Sequence, residues 1–124
     1  MKIPENYQTV MPYLIIEGAQ KFMDFTKAVF DAKETYNHAR SEGVIMHGEI
    51  IIGGSTIRFA DATAQFAASP AGMFVYVEDA DKTYEKALAN GATSVMPPAN
   101  QSYGRSCGVK DAFGNTWWIT TASN

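Results

Sequence analysis

The stretch Gly104–Thr121, GRSCGVKDAFGNTWWITT, decides the fold of this chain. Asp111-Ala112-Phe113-Gly114-Asn115 interrupts two runs with strand chemistry. Gly114 and Asn115 tolerate positive φ at low cost, so they mark a turn. Thr116–Thr121, TWWITT, is dense in aromatic and β-branched side chains, which suit a pleated sheet surface. The stretch therefore reads as a hairpin that closes the chain.

Moving outward from it, the same pattern occurs earlier. A displacement of 60 residues lays Gly54–Phe59, GSTIRF, on Gly114–Ile119, GNTWWI. A displacement of 61 lays Tyr13–Ala19, YLIIEGA, on Phe74–Ala80, FVYVEDA, so that Glu17 meets Glu78 and Ala19 meets Ala80. Gly104–Thr121 is then the second copy of Gly48–Ala60. The elements around these anchors follow one order twice: strand, helix, three strands. In the first copy, Val10–Ile16 reads as a strand with Pro12 near its start. Ala19–Phe30 reads as a helix burying Phe22, Phe25, Thr26 and Val29. Lys33–Ala39, Val44–Ile52 and Ser55–Ala60 read as strands, with a break at Gly53-Gly54. In the second copy, Met73–Val77 is a strand. A helix capped by Asp79 or Asp81 runs to Asn90 and stops at Gly91. Thr93–Met96 is a strand cut short by Pro97-Pro98. Met1–Gln8 is a polar lead-in. The repeat predicts modules over about 8–62 and 70–122 within one domain spanning 1–124, joined by a linker at 61–71.

Composition bounds the class. The chain has 124 residues, 46% hydrophobic and 19% charged, which suits one domain with a real core. A net charge of −3 without a Lys/Arg cluster argues against nucleic acid. No apolar run approaches the ~18 residues of a membrane span, so no membrane partner is expected. Cys107 is the one cysteine, which excludes an internal disulfide and fits a reducing compartment. MKIPENYQTV offers no apolar signal segment, so a cytoplasmic location is expected.

These residues in this order resemble a known family. The pattern Pro12-Tyr13-Leu14, Gly18-Ala19, Phe25, Met46-His47-Gly48-Glu49, Val77-Glu78-Asp79, Gly91-Ala92, Met96-Pro97-Pro98, Gly104-Arg105, Gly108, Asp111-Ala112-Phe113-Gly114-Asn115 and Trp117-Trp118 is similar to the PhnB-like branch of the glyoxalase/bleomycin-resistance/extradiol-dioxygenase (vicinal oxygen chelate) superfamily. The resemblance implies an α+β fold of two tandem βαβββ modules, with mixed sheets curled around a cavity, in a homodimer. It also implies a divalent metal held by four side chains from the first and last strands of each module. Carried onto this sequence, those positions are Met11, Arg58, Gly72 and Trp118. A thioether, a fixed cation, a residue with no side chain and an indole make no metal site. A metal-free chain with no cofactor is expected, since no glycine-rich cofactor loop follows a strand either.

Alternation along the strands puts Met11, Tyr13, Ile15, Thr56, Arg58, Ala60, Gly72, Phe74, Tyr76, Thr116, Trp118 and Thr120 on one set of faces. The opposite set is apolar throughout: Leu14, Ile16, Ile57, Phe59, Val75, Val77, Trp117 and Ile119. The mixed faces are the ones to line a ligand site. A two-residue loop at Gly53-Gly54 pairs Glu49 with Arg58, whereas a loop at Gly54-Ser55 pairs Glu49 with Ala60. Either way Ile45, His47 and Glu49 share the face of Arg58. Glu49 then neutralises Arg58 with His47 as polar filler, or His47 is a general acid or base oriented by Glu49 while Arg58 holds an anionic group. Metal ligation by His47 and Glu49 lacks a third ligand. His38 belongs to an exposed strand. Arg105, with Tyr103 and Gln101, either reaches over the cavity rim or stays on the surface. Cys107 has no activating neighbour in sequence.

Two functions compete. One is a metal-independent small-molecule binding protein that sequesters its ligand, with Tyr13, Phe74, Tyr76 and Trp118 as aromatic walls and Arg58 and Arg105 as polar contacts for an aromatic or anionic ligand. The other is a lyase, isomerase or dioxygenase with a rearranged metal site, or acid–base chemistry at His47 and Glu49.

Overall fold

A computed structural model of the chain describes residues 1–123. The chain divides into two compact units: Met1–Lys27 with Asp31–Pro70, and Ala28–Phe30 with the chain from Ala71 onward. The first unit carries β1 (Tyr13–Ile16), most of α1 (Ala19–Phe30), β2 (Lys33–Ser41), β3 (Val44–Ile52) and β4 (Ser55–Asp61). Its sheet has the order β1-β4-β3-β2, with β1 parallel to β4 and the other pairs antiparallel. The second unit carries β5 (Gly72–Tyr76), α2 (Ala80–Ala89), β6 (Thr93–Gln101), β7 (Gly104–Lys110) and β8 (Thr116–Ala122). Its order is β5-β8-β7-β6, with β5 parallel to β8. Each unit is thus a βαβββ module with a four-stranded mixed sheet, an α+β fold in which neither sheet closes on itself.

The apolar faces build the core. Leu14, Ile16, Ile57 and Phe59 of the first sheet are buried, as are Phe22, Phe25, Thr26 and Val29 of α1. Phe22 meets Phe59 edge-on at 5.1 Å. In the second unit Trp117 and Ile119 are buried with Ala80, Tyr84 and Ala87 of α2, and the Phe30 ring lies 4.5 Å from Trp117.

The repeat extends to the helix caps. Gly18, at φ 87°, has no side chain to cap α1. Asp61, at the end of β4, accepts hydrogen bonds from Gly18 N at 3.1 Å and Ala19 N at 2.9 Å. Thr121, 60 residues later, accepts from Ala80 N at 2.8 Å, and Asp79 caps α2 through Lys82 N at 3.1 Å. The last strand of each unit therefore satisfies N–H groups that the helix itself leaves open.

Three expectations need correction. β1 begins at Tyr13, and Val10 is exposed before it, although Pro12 O still accepts from Arg58 N at 3.0 Å. β6 runs through Pro97-Pro98 to Gln101. It is an edge strand, and a register shift between Met96 and Ala99 takes the prolines, which have no N–H, out of the ladder. Within the 61–71 stretch, Ser69 bridges to Ile15 of β1. Ile45 leaves the face of His47: a shift between His38 and Ala39 puts an extra residue into β3. Ile45 is buried, with its Cγ2 3.3 Å from where a Cβ on Gly48 would sit.

Candidate functional site

The first unit gathers its polar residues on β3 and β4. The two-residue turn at Gly53-Gly54 sets the register Ile52↔Ser55, which places Glu49 opposite Arg58. Strand alternation then brings His47 to the same face. His47 Nε2 lies 2.6 Å from Glu49 Oε2 and 2.9 Å from Arg58 Nη2. One nitrogen cannot donate to the carboxylate and accept from the guanidinium together. The shorter, charge-assisted contact favours an Nε2–H that donates to Glu49. Arg58 then faces the other ring nitrogen, Nδ1, at 3.4 Å. Arg58 Nε is buried, has no hydrogen-bond partner and stands 3.6 Å from Glu49 Oε2. Aromatic rings frame the cluster. Tyr13 and Tyr36 approach His47 edge-on at 6.1 and 5.4 Å, and the Arg58 guanidinium carbon lies 5.5 Å from the Tyr13 ring centroid.

The residue that sequence reasoning missed is Tyr7. Its hydroxyl donates to Glu49 Oε1 at 2.5 Å. Gln8 Nε2 donates to Thr56 O at 2.9 Å, and Thr56 Oγ1 donates to Asn6 O. The polar lead-in is therefore a strap over β3 and β4, and it leaves a cleft of about 220 Å³ lined by Pro4, Glu5, Asn6, Tyr7, Thr35, Glu49 and Thr56. No local pattern in Asn6-Tyr7-Gln8 announces this pairing, since the partners lie more than 40 residues away. The Glu49 side chain is only 5% exposed. Burial pushes its carboxyl up, but hydrogen bonds from Tyr7 and His47, with the charges of His47 and Arg58, outweigh it and hold the group below the ordinary glutamate value. The Tyr7 phenol is raised, first by its bond to Glu49 and then by burial.

The second unit builds a different face from the same plan. Phe74 lies opposite Trp118 in the parallel register, as Tyr13 lies opposite Arg58 in the first unit. The Phe74 ring is 5.3 Å from Tyr76 and 6.4 Å from Tyr103. Tyr13, Phe74, Tyr76 and Trp118 remain 49%, 52%, 67% and 36% exposed, whereas Leu14, Trp117 and Ile119 on the opposite faces are buried and Val75 is half-buried. Beyond Trp118, Ser106 and Thr120 share a buried hydrogen bond of 2.8 Å.

The structure does not bring Arg105 to this aromatic group. Arg105 pairs with Thr121 across β7 and β8, one residue out of phase with Trp118. Its guanidinium grips Asp81 of α2 at 2.9 and 3.0 Å and lowers that carboxyl. Cys107 is buried with its thiol 3.9 Å from Ala80 O, and burial pushes it up to about 11. It is a packing residue. His38 is exposed on β2.

Residues 6–119 match the family model of the Glyoxalase/Bleomycin resistance protein/Dioxygenase superfamily. The chain belongs to this superfamily. A relative from Mycobacterium bovis, itself uncharacterized, is 29% identical over 118 residues, covering 86% of this chain and 78% of its own length. Among solved structures, the PhnB protein of Bacillus cereus superposes with a TM-score of 0.75 at 22% identity, covering 93% of this chain and all of the other. TnmS3 of Streptomyces sp. CB03234, an antibiotic binding protein, superposes with a TM-score of 0.73 at 17% identity over 99% of both chains.

The divalent metal implied by that superfamily does not fit the side chains here. Of the four positions, Met11 offers a thioether and Gly72 nothing, Trp118 has only an N–H, and Arg58 is a cation facing Glu49. Among the described residues no group of three or more His, Cys, Asp and Glu side chains comes together as a metal cluster would need. Among the described residues no helix is long and apolar enough to cross a membrane.

Proposed function

We propose that this protein binds small aromatic molecules on the open face of each of its sheets, without a metal. The observation that carries this reading is the exposure of Tyr13, Phe74, Tyr76 and Trp118, beside strand neighbours Leu14, Trp117 and Ile119 that are buried on the opposite faces. Large rings left in water on one face of a sheet favour stacking with a planar guest. The charge balance of the first unit narrows the ligand class. Arg58 already faces the Glu49 carboxylate, so the cluster has little positive charge to offer an anion. Hydrogen bonding at His47 and stacking at Tyr13 suit an aromatic ligand with polar substituents better. The antibiotic binding named for TnmS3 agrees with this class of role. Sequestration, a cytoplasmic location and a homodimer belong to the same proposal; the open edge strands β2 and β6 leave room for a second copy.

A second reading is favoured by one contact. The 2.6 Å approach of His47 to Glu49 is the geometry of a histidine oriented by a carboxylate for proton transfer. Intrinsic fluorescence separates the readings. Titration with a panel of aromatic compounds should change Trp emission, and Trp118→Ala should weaken the tightest binder at least tenfold. No response from any compound, or an unchanged affinity in Trp118→Ala, sinks the binding reading. Turnover of a bound compound that His47→Ala abolishes would establish the second.

A further inference from the structure

The two units differ by one residue in how β3 and β7 meet their neighbours. Glu49 faces Arg58 in the first unit, whereas Gly108 faces Trp118 in the second. The structural mate of Glu49 is therefore Gly108, although Gly48 is the residue exactly 60 positions before it in sequence. A Cβ built on Gly108 would lie 2.6 Å from Cζ3 and 2.8 Å from Cε3 of Trp118. The indole thus rests in the space that any other side chain at 108 would fill. Nothing in the backbone calls for glycine there, since Gly108 is not among the residues at positive φ. Glycine inside a strand costs stability, and close approach of another group is a recurrent reason for it. Trp118 is 36% exposed, and its indole N–H is a donor only. Phe74, its register partner on β5, lies 5.3 Å from the Tyr76 ring and 6.4 Å from the Tyr103 ring.

We infer that Gly108 is a positioning residue: it seats Trp118 against the strand backbone and so selects planar, fused-ring aromatic ligands bearing a hydrogen-bond acceptor for the indole N–H. This rests on the binding reading above and adds the class of ligand and the residue that sets it. A ring backed by peptide on one side offers a single π face, which a planar guest covers and a puckered ring does not. A side chain at 108 lifts the ring and removes that match.

The test uses the whole chain labelled with 5-fluorotryptophan, which gives separate ¹⁹F signals for Trp117 and Trp118. The probes are naphthalene-2-sulfonate, planar with acceptor oxygens, and cyclohexanesulfonate, with the same head group on a puckered ring. The expected result is that Gly108→Ala moves the Trp118 signal, leaves Trp117 in place, and weakens naphthalene-2-sulfonate at least tenfold, while cyclohexanesulfonate binds neither protein. An unmoved Trp118 signal overturns the seating. A moved signal with unchanged naphthalene-2-sulfonate affinity overturns the link from seating to selectivity. Failure of wild type to bind either probe, with the Trp118 signal moved by the substitution, overturns the ligand class while the seating stands. A Trp118 signal that follows protein concentration rather than probe makes a second copy the occupant and overturns it too. Should Gly108→Ala lower the melting temperature too far to study, Gly108→Ala in a Trp118→Ala background should restore it, since the clash is gone; no recovery contradicts the seating.

Discussion

The two units have the same strand order and opposite surface chemistry. In the first, the open face carries a closed circuit of Tyr7, Glu49, His47 and Arg58. In the second, the equivalent positions carry Gly108 and Trp118, and the face is aromatic. The turns differ in step. Gly53-Gly54 joins β3 to β4 in two residues, whereas Asp111–Asn115 takes five between β7 and β8. The longer turn moves β7 by one residue against the repeat, which exchanges an ion pair for a ring on bare backbone. A sheet keeps its helix-packed side under duplication because the core demands it. The open side is constrained only by its contacts, and there the two copies diverged.

The largest break of this comparison lies in the long turn. Asp111 is buried and accepts from Phe113 N, Asn115 N, Asn115 Nδ2 and Trp117 Nε1, at 2.8 to 3.0 Å. The Gly53-Gly54 turn has no such hub. Asp111→Ala should cost about 3 kcal/mol or more in denaturant unfolding, because several buried donors lose a charged acceptor together. A loss under about 1 kcal/mol would mean that the turn length alone sets the β7 register.

Next comes the circuit of the first unit. Glu49→Ala leaves the Arg58 guanidinium beside a vacated buried carboxylate site, and about 2 kcal/mol should be lost, discounted because Arg58 is itself one-third exposed. Adding Arg58→Met should recover part of that loss, and a strictly additive double mutant would show that the two side chains do not interact. The pH dependence follows in sign. The folded-state value of Glu49 is depressed, so its contribution is fully present above the unfolded glutamate value of about 4.3 and is lost as the pH falls through the folded value. Acid unfolding of wild type should therefore be steeper than that of Glu49→Gln, and coincident curves would contradict the pairing. The smallest effect belongs to the strap. Tyr7→Phe should cost about 1 kcal/mol or less, and the Glu49 carboxyl, followed by ¹³C NMR, should titrate higher once that donor is gone.

Much of this was legible in the sequence, because duplication prints the same pattern twice. The offset of 61 for Tyr13 and Phe74 and of 60 for Arg58 and Trp118 reproduces the observed parallel registers of both sheets. The Glu49–Arg58 pairing follows from the Gly53-Gly54 turn, one of two loops the sequence allowed. What was hidden is what period-two reasoning cannot carry. A bulge in β3 turned Ile45 to the core, and a shift near Pro97-Pro98 kept β6 going. Arg105 went to α2 because Asp81, 24 residues earlier, offers it two oxygens. Tyr7 sits in a segment with no periodicity, and only the tertiary fold sets it against Glu49.

The central claim is that the open faces bind an aromatic molecule, and chemical-shift mapping tests it most directly. Naphthalene-2-sulfonate titrated into ¹³C,¹⁵N-labelled protein should give saturable shifts concentrated on Phe74, Tyr76, Tyr103 and Trp118, with α1 and α2 unmoved. Saturable binding that leaves those four residues unshifted would contradict it.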